Sequence, residues 1–229
     1  YYASNNYLRN VRIDNNTISV RDNGMSVYNR QGSDNLSITG NKISANKSIR
    51  NCCHWGLYAS HVGGVIERNE ISNFAGGVYL SGDFDYPSRP TIRHNTIVNN
   101  NHSSSSSYNG IRLEGYSQPL INHNNLDNNS TGSSAYDIYN NTLASVYTEI
   151  DAKHNYWGSA TTASMDAGGN PKNIARIYDK HDNSEKGFVN YGQWSRLAIN
   201  MTPPSLTALT ALTDNGTTIT LTFSKNVLA

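Results

Sequence analysis

The chain has 229 residues, with 18 Lys and Arg against 17 Asp and Glu, and a formal net charge of +1. Its basic residues are scattered rather than gathered into the stripe of a nucleic-acid binder, and no apolar run approaches the roughly 20 residues of a membrane span. Only 15% of residues are charged and 36% hydrophobic, and much of the rest is Asn, Ser, Thr, Gly and Tyr, a mixture of turn formers and strand formers that argues against a helix-rich globular enzyme.

The chain opens at Tyr1, without Met and inside a strand-like pattern, so the reading is of a mature or excised piece of a longer polypeptide. Cys52 and Cys53 are adjacent, a poor arrangement for a bridge, so stability is expected from stacking rather than from disulfides. A polar surface rich in Tyr and Asn and poor in Lys suits a secreted or cell-surface protein.

From the first coil onward, Ile-x-x-Asn-x-Ile/Leu recurs. It reads Ile13-Asp14-Asn15-Asn16-Thr17-Ile18, then Ile38-Thr39-Gly40-Asn41-Lys42-Ile43, then Ile66-Glu67-Arg68-Asn69-Glu70-Ile71. Two further copies are Ile92-Arg93-His94-Asn95-Thr96-Ile97 and Ile121-Asn122-His123-Asn124-Asn125-Leu126, and a degenerate one ends in His154-Asn155-Tyr156-Trp157. The Asn positions lie 25 to 31 residues apart, one solenoid coil each. Parallel strands on consecutive coils stand about 4.8 Å apart, so equivalent residues form columns. The two apolar positions are expected inside. The Asn is expected at the bend between them, in left-handed backbone, its amide bonded to those above and below.

A second strand column follows each bend: Gly24-Met25-Ser26-Val27, Gly56-Leu57-Tyr58-Ala59, Gly77-Val78-Tyr79-Leu80, Gly110-Ile111-Arg112-Leu113, and more loosely Asp137-Ile138-Tyr139. Alternation turns the second and fourth residues inward and the third outward. Polar loops of variable length, 83–90 and 99–109, are expected to share one loop column. The fold expected is all-β, a parallel β-helix, with coils over 1–158, a C-terminal cap over 159–200 and a linker over 201–204. Residues 205–229, centred on Asp214-Asn215-Gly216, read as a β-hairpin, the incomplete start of a sandwich-like domain.

The repeat, followed by Asn155-Tyr156-Trp157-Gly158 and a closing segment from Ile177-Tyr178-Asp179 to Gly187-Phe188-Val189-Asn190-Tyr191, resembles the right-handed parallel β-helix repeat proteins of the pectate-lyase-like superfamily. The narrower likeness is to their carbohydrate-binding and sugar-hydrolase-type branch, over roughly residues 1–195. The hairpin resembles the first of an immunoglobulin-like repeat in large bacterial surface proteins. The resemblance implies a right-handed coil and a polysaccharide partner. It specifies fold more than function, because its members include lyases, hydrolases, epimerases, copper-processing proteins and non-catalytic surface proteins.

The outward column Ser26, Tyr58, Tyr79, Arg112 and Tyr139 is the candidate sugar platform, or else a set of tyrosines packing on one another. Asp83, Asp85, Arg112 and Glu114 are the catalytic candidates. In lyases of this fold, carboxylates hold Ca²⁺ against a uronate, while glycosidases need two carboxylates at roughly 5–9.5 Å. The same acids, Asp83, Asp85 and Glu114, are therefore the candidate metal ligands, with Arg112 supplying charge rather than abstracting a proton. His94, His123 and His154 hold one repeat position on three coils and form either a second candidate for a metal, here Zn²⁺ or Cu²⁺, or a stacking column at the turn. The run Asp179-Lys180-His181-Asp182-Asn183-Ser184-Glu185 is acidic but lacks EF-hand spacing. Trp157 is expected to plug the last coil. Two readings stand: a protein that binds a polysaccharide along its outer strand face, with cleavage by lyase or hydrolase chemistry left open, and a non-catalytic surface, adhesion or spacer module of a larger protein.

Overall fold

The computed structural model describes residues 10–29, 35–46, 54–101, 108–130 and 135–202, with the backbone of Leu206–Thr210 and Thr220–Phe223. Cys52, Cys53, the serines of 103–107, Pro203-Pro204 and the Asp214-Asn215-Gly216 turn lie outside them.

The described chain is an all-β parallel solenoid. A first sheet stacks Arg12–Asp14, Ser37–Thr39, Val65–Glu67, Thr91–Arg93 and Leu120–Asn122. A second, just past the bend, stacks Thr17–Val20, Lys42–Ala45, Glu70–Ser72, Thr96–Val98 and Asn125–Asp127. The third runs through Met25–Tyr28, Trp55–Ser60, Gly76–Gly82, Ile111–Gly115, Ile138–Asn140 and Ile177–Tyr178. Every pairing in these sheets is parallel, and the repeat sets the register: Ile38 lies opposite Ile13 and Ile66, and Ile97 opposite Ile71 and Leu126.

The aliphatic columns make the core. Ile38, Ile66, Ile92 and Ile121 are completely buried, as are Ile43, Ile71, Ile97 and Leu126 across the bend. Leu57, Ala59, Val78, Leu80, Ile111 and Leu113 close the third side, so alternation in the quartets reads as expected. The leading glycines are steric necessities at close approaches. A Cβ at Gly56 would sit 2.2 Å from the Ile71 side chain, and one at Gly77 would sit 2.6 Å from Ile97.

The ladder of asparagines is continuous. Asn16, Asn41, Asn69, Asn95 and Asn124 each donate from backbone N and from Nδ2 to Oδ1 of the next, ending on Asn155, at 2.8–3.0 Å. From Asn41 onward each Nδ2 also reaches a main-chain carbonyl of the coil before, as Asn95 does with Ile66 at 2.8 Å. The left-handed residue, however, is not the ladder Asn but the one before it: Asn15, Gly40, Arg68, His94, His123 and His154 have φ between 53° and 67°. The Asn amide must point inward to bond along the stack, so the corner itself is turned by its neighbour.

A second, shorter ladder was not visible as a repeat. Asn100 Nδ2 donates to Asn129 Oδ1 at 2.9 Å, and Asn129 Nδ2 to Asp137 Oδ1 at 3.0 Å. A carboxylate accepts but cannot donate onward. The column therefore ends there, on the Arg176 guanidinium, 3.0 Å from both Asp137 oxygens. Burial pushes the Asp137 carboxyl up, opposed by Arg176 and the Asn129 amide.

The loops 83–90 and 99–109 do not share a column. In chain order the first follows a strand of the third sheet and the second precedes one, so they are different connections of the coil. Past the coils, Gly158–Asp166 forms a nine-residue helix. Trp157 is completely buried at its start, as a plug should be, and Glu149–Asp151 pairs in parallel with Phe188–Asn190. No helix among the described residues is long and apolar enough to cross a membrane. Contacts divide the chain into Tyr1–Ile199 and Asn200–Ala229, the latter holding an antiparallel pair, Leu206–Thr210 with Thr220–Phe223.

Replacing Asn95 by Ala is expected to cost about 1–3 kcal/mol by urea unfolding, because it removes the side-chain partner of the Ile66 carbonyl and of the Asn69 N–H inside the stack. Asn16→Ala, at an exposed rung, should cost distinctly less.

Candidate functional site

The outward positions of the third sheet carry two neighbouring rows. In the first, register places Ser26, Tyr58, Tyr79, Arg112, Tyr139 and Tyr178 side by side on successive coils. Tyr58 and Tyr79 stack at 4.7 Å with planes 6° apart, and Tyr139 and Tyr178 at 4.3 Å and 5°. The Arg112 guanidinium lies 4.4 Å over Tyr139, so the predicted binding residues Tyr58, Tyr79, Arg112 and Tyr139 do share one row. Coil spacing matches ring stacking, and the tyrosines spend their faces on each other. What the row offers outward is ring edges and hydroxyls. Burial, with the Glu114 carboxylate and Tyr58 beside it, pushes the Tyr79 hydroxyl up, and burial with Tyr178 does the same for Tyr139, so both remain neutral donors. Trp55 and Tyr108 flank the row on the side of loop 99–109, and Tyr136, inclined at 57° to Tyr139, continues it.

The second row runs Tyr28, Ser60, Ser81, Glu114. Asn141 follows, donating to Glu114 Oε2 at 2.6 Å, while Arg112 Nε donates to Oε1 at 2.6 Å. Both Glu114 oxygens are thus engaged. Asp83, expected beside them, is engaged elsewhere: Oδ2 lies 3.0 Å from His61 Nε2, and Oδ1 accepts the Tyr86 N–H at 2.8 Å. Asp85 is exposed on the same loop. Among the predicted acids, Glu114 pairs with Arg112 and Asp83 with His61. These donors do not fit Ca²⁺, which takes six to eight converging oxygens. Among the described residues, no group of three or more His, Cys, Asp or Glu side chains is placed to hold a metal ion.

His61 is the residue that sequence reasoning missed. Its Nδ1 lies 2.9 Å from Ser60 Oγ, and Ser81 Oγ donates to Ser60 Oγ at 2.9 Å. Adjacent side chains on a strand point to opposite faces. The strand breaks at His61, whose φ of 56° is left-handed, and this lets its ring reach back to Ser60. Tyr28 and Tyr86 meet the imidazole edge-on at 5.3 and 6.5 Å. The signal available was the polar Ser60-His61 pair directly after a quartet, with Ser81 opposite Ser60 one coil on and Asp83 two residues beyond it.

His94, His123 and His154 do stack, with centroids 5.3 and 5.0 Å apart. Parallel rings at that spacing form a column rather than a convergent ligand set. His94 Nδ1 is buried without a hydrogen bond, 3.9 Å from the Glu67 carboxylate that Arg68 and Arg93 already hold. In the cap, the Asp179 carboxylate accepts the His181 and Val189 N–H groups, which accounts for this acid as a fastener of the loop.

The family described as a right-handed beta helix region matches residues 45–149, agreeing with the parallel sheets in assigning a right-handed β-helix. No curated protein and no solved structure matches the chain.

Burial and the neighbouring imidazoles, together with nearby Arg93, push His94 and His123 below the ordinary His value, with Arg68 adding to this at His94 and Glu67 opposing it. The folded stack refuses protons that the unfolded chain accepts. Stability should therefore be full above about pH 6.5 and fall as pH drops below it, through the lower folded values. Urea midpoints measured across this range should show the slope, and His123→Asn, which keeps a residue tolerant of left-handed backbone, should flatten it.

Proposed function

We propose that the chain binds a polysaccharide along the outward face of the third sheet, in a secreted or cell-surface setting. The observation that carries this reading is the row Tyr58, Tyr79, Arg112, Tyr139 and Tyr178, laid in line on consecutive coils. A linear glycan is an array of rings with hydroxyls on their rims. A straight row of phenol edges with a guanidinium among them gives it repeated hydrogen-bond partners beside apolar carbon. The inclined Tyr108 and Tyr136 on one flank, and Phe84 and Tyr116 on the other, supply aromatic walls. Phe84 is 77% exposed and meets Tyr116 edge-on at 5.7 Å, so its other face is open to solvent.

A second reading, a spacer or adhesion module of a longer surface protein, draws on the separate antiparallel pair in Asn200–Ala229. Both oxygens of the Glu114 carboxylate are engaged, by Arg112 Nε and Asn141 Nδ2, so this acid is tied up in the row and serves binding rather than lyase or glycosidase chemistry.

Affinity electrophoresis against a panel of acidic and neutral polysaccharides tests it. Tyr58→Ala is expected to weaken retention by about tenfold, equivalent to about 1.4 kcal/mol, while the far-ultraviolet spectrum stays unchanged. Retention by no polysaccharide at all would favour the spacer reading.

A further inference from the structure

We infer that Ser81, Ser60, His61 and Asp83 form a serine-hydrolase site that cleaves short-chain O-acyl esters. The direction of every proton in the cluster is fixed from one end. A carboxylate only accepts, so Asp83 Oδ2 takes its hydrogen bond, at 3.0 Å, from His61 Nε2–H. The neutral ring then has Nδ1 as its acceptor, and Ser60 Oγ–H donates to it at 2.9 Å. The Ser60 oxygen is left to accept, and Ser81 Oγ–H donates to it at 2.9 Å. The result is a chain from Ser81 through Ser60 and His61 to Asp83, the nucleophile, base and orienting acid of a triad with one hydroxyl relay inserted.

Exposure sorts the roles. Ser60 is 3% exposed and lies within the row, whereas Ser81 is only partly buried on the sheet face between Ser60 and Glu114. Ser81 is the nucleophile and Ser60 the relay. The Ser81 backbone is fixed from both sides: the His61 N–H and the buried Ser88 hydroxyl both donate to its carbonyl. Asp83 is a positioning residue, itself held by the Tyr86 N–H.

Ser81 Oγ attacks the ester carbonyl carbon as its proton passes to Ser60 and the Ser60 proton to His61 Nδ1. The C–O bond to the alcohol breaks, the alcohol leaves with a proton returned along the same relay, and the acyl group stays on Ser81. Water, deprotonated through the relay, then attacks the acyl carbon and releases the carboxylic acid and free Ser81. The site adjoins the aromatic row. The natural substrate class, an O-acylated polysaccharide, rests on the glycan-binding reading, and the hydrolytic site does not.

The test uses the full chain with p-nitrophenyl acetate, a fluorophosphonate probe and O-acetylated polysaccharides. Hydrolysis is expected, with the probe attached to the Ser81 peptide. Ser81→Ala should abolish labelling, and His61→Asn, which tolerates the left-handed turn, should slow hydrolysis by about a hundredfold. Asp83→Asn, on an exposed loop, presents an amide that can donate to Nε2 and turn Nδ1 into a donor, and should slow it by about tenfold or more. Unchanged hydrolysis and labelling in the folded Asp83→Asn protein would overturn the site, as would the absence of any labelled serine. Label on Ser60 would overturn the relay. Ester turnover with no acetate released from any acylated glycan would overturn the substrate class alone, and loss of glycan retention in Tyr58→Ala is read separately from all of these.

Discussion

Everything in this molecule depends on the hydrogen bonding between parallel strands, which holds equivalent residues of successive coils about one strand spacing apart. At that distance a side chain meets its own counterpart before anything else. Isoleucine meets isoleucine and the core closes; tyrosine meets tyrosine face to face; asparagine meets asparagine with donor toward acceptor. A coil has no large core of its own, and burial comes from repetition, which is why the complete burial of Ile66 or Ile97 needs the coils on either side.

The same spacing decides what each row can do. For the aliphatic rows and the Asn ladder, self-contact is the whole purpose. For the histidines it is a liability, since imidazoles 5.0 Å apart cannot all take up a proton without repulsion. For the tyrosine row it turns a set of sticky faces into a ribbed surface of edges and hydroxyls, with one guanidinium set among them. Chemistry that needs unlike groups together must therefore come from places where the rows break off, and the described molecule has such a place where the third sheet ends at His61, Ser81 and Asp83.

How much of this the sequence disclosed follows the same division. The Ile-x-x-Asn-x-Ile copies and the Gly-led quartets announce themselves because like stands above like, so the three sheets, their register and the Tyr58–Tyr79–Arg112–Tyr139 row could be read from spacing alone. The His61 cluster could not, since it joins two residues of one coil to two of the next across a left-handed break that no period encodes. The ladder through Asn100, Asn129 and Asp137 was hidden for a related reason. Its members are separated by 29 and then 8 residues, and its terminus depends on Arg176, 39 residues further along. The contact of Asp83 with His61 was hidden because register predicts neighbours within a strand but not the course of the loop that leaves it.

The left-handed corner carries Asn15, Gly40, Arg68, His94, His123 and His154 in turn. The backbone demands a dihedral there and nothing else, while the adjoining asparagine carries the ladder. An amide, a bare hydrogen, a guanidinium and an imidazole all meet that demand, so the row is a strip on which charge, bulk and acidity vary from coil to coil with the scaffold beneath them unaltered. Solenoids are often credited with evolving by gaining and losing whole coils; this corner gives the protein a finer grain of change, one side chain at a time, along an edge that runs the length of the stack.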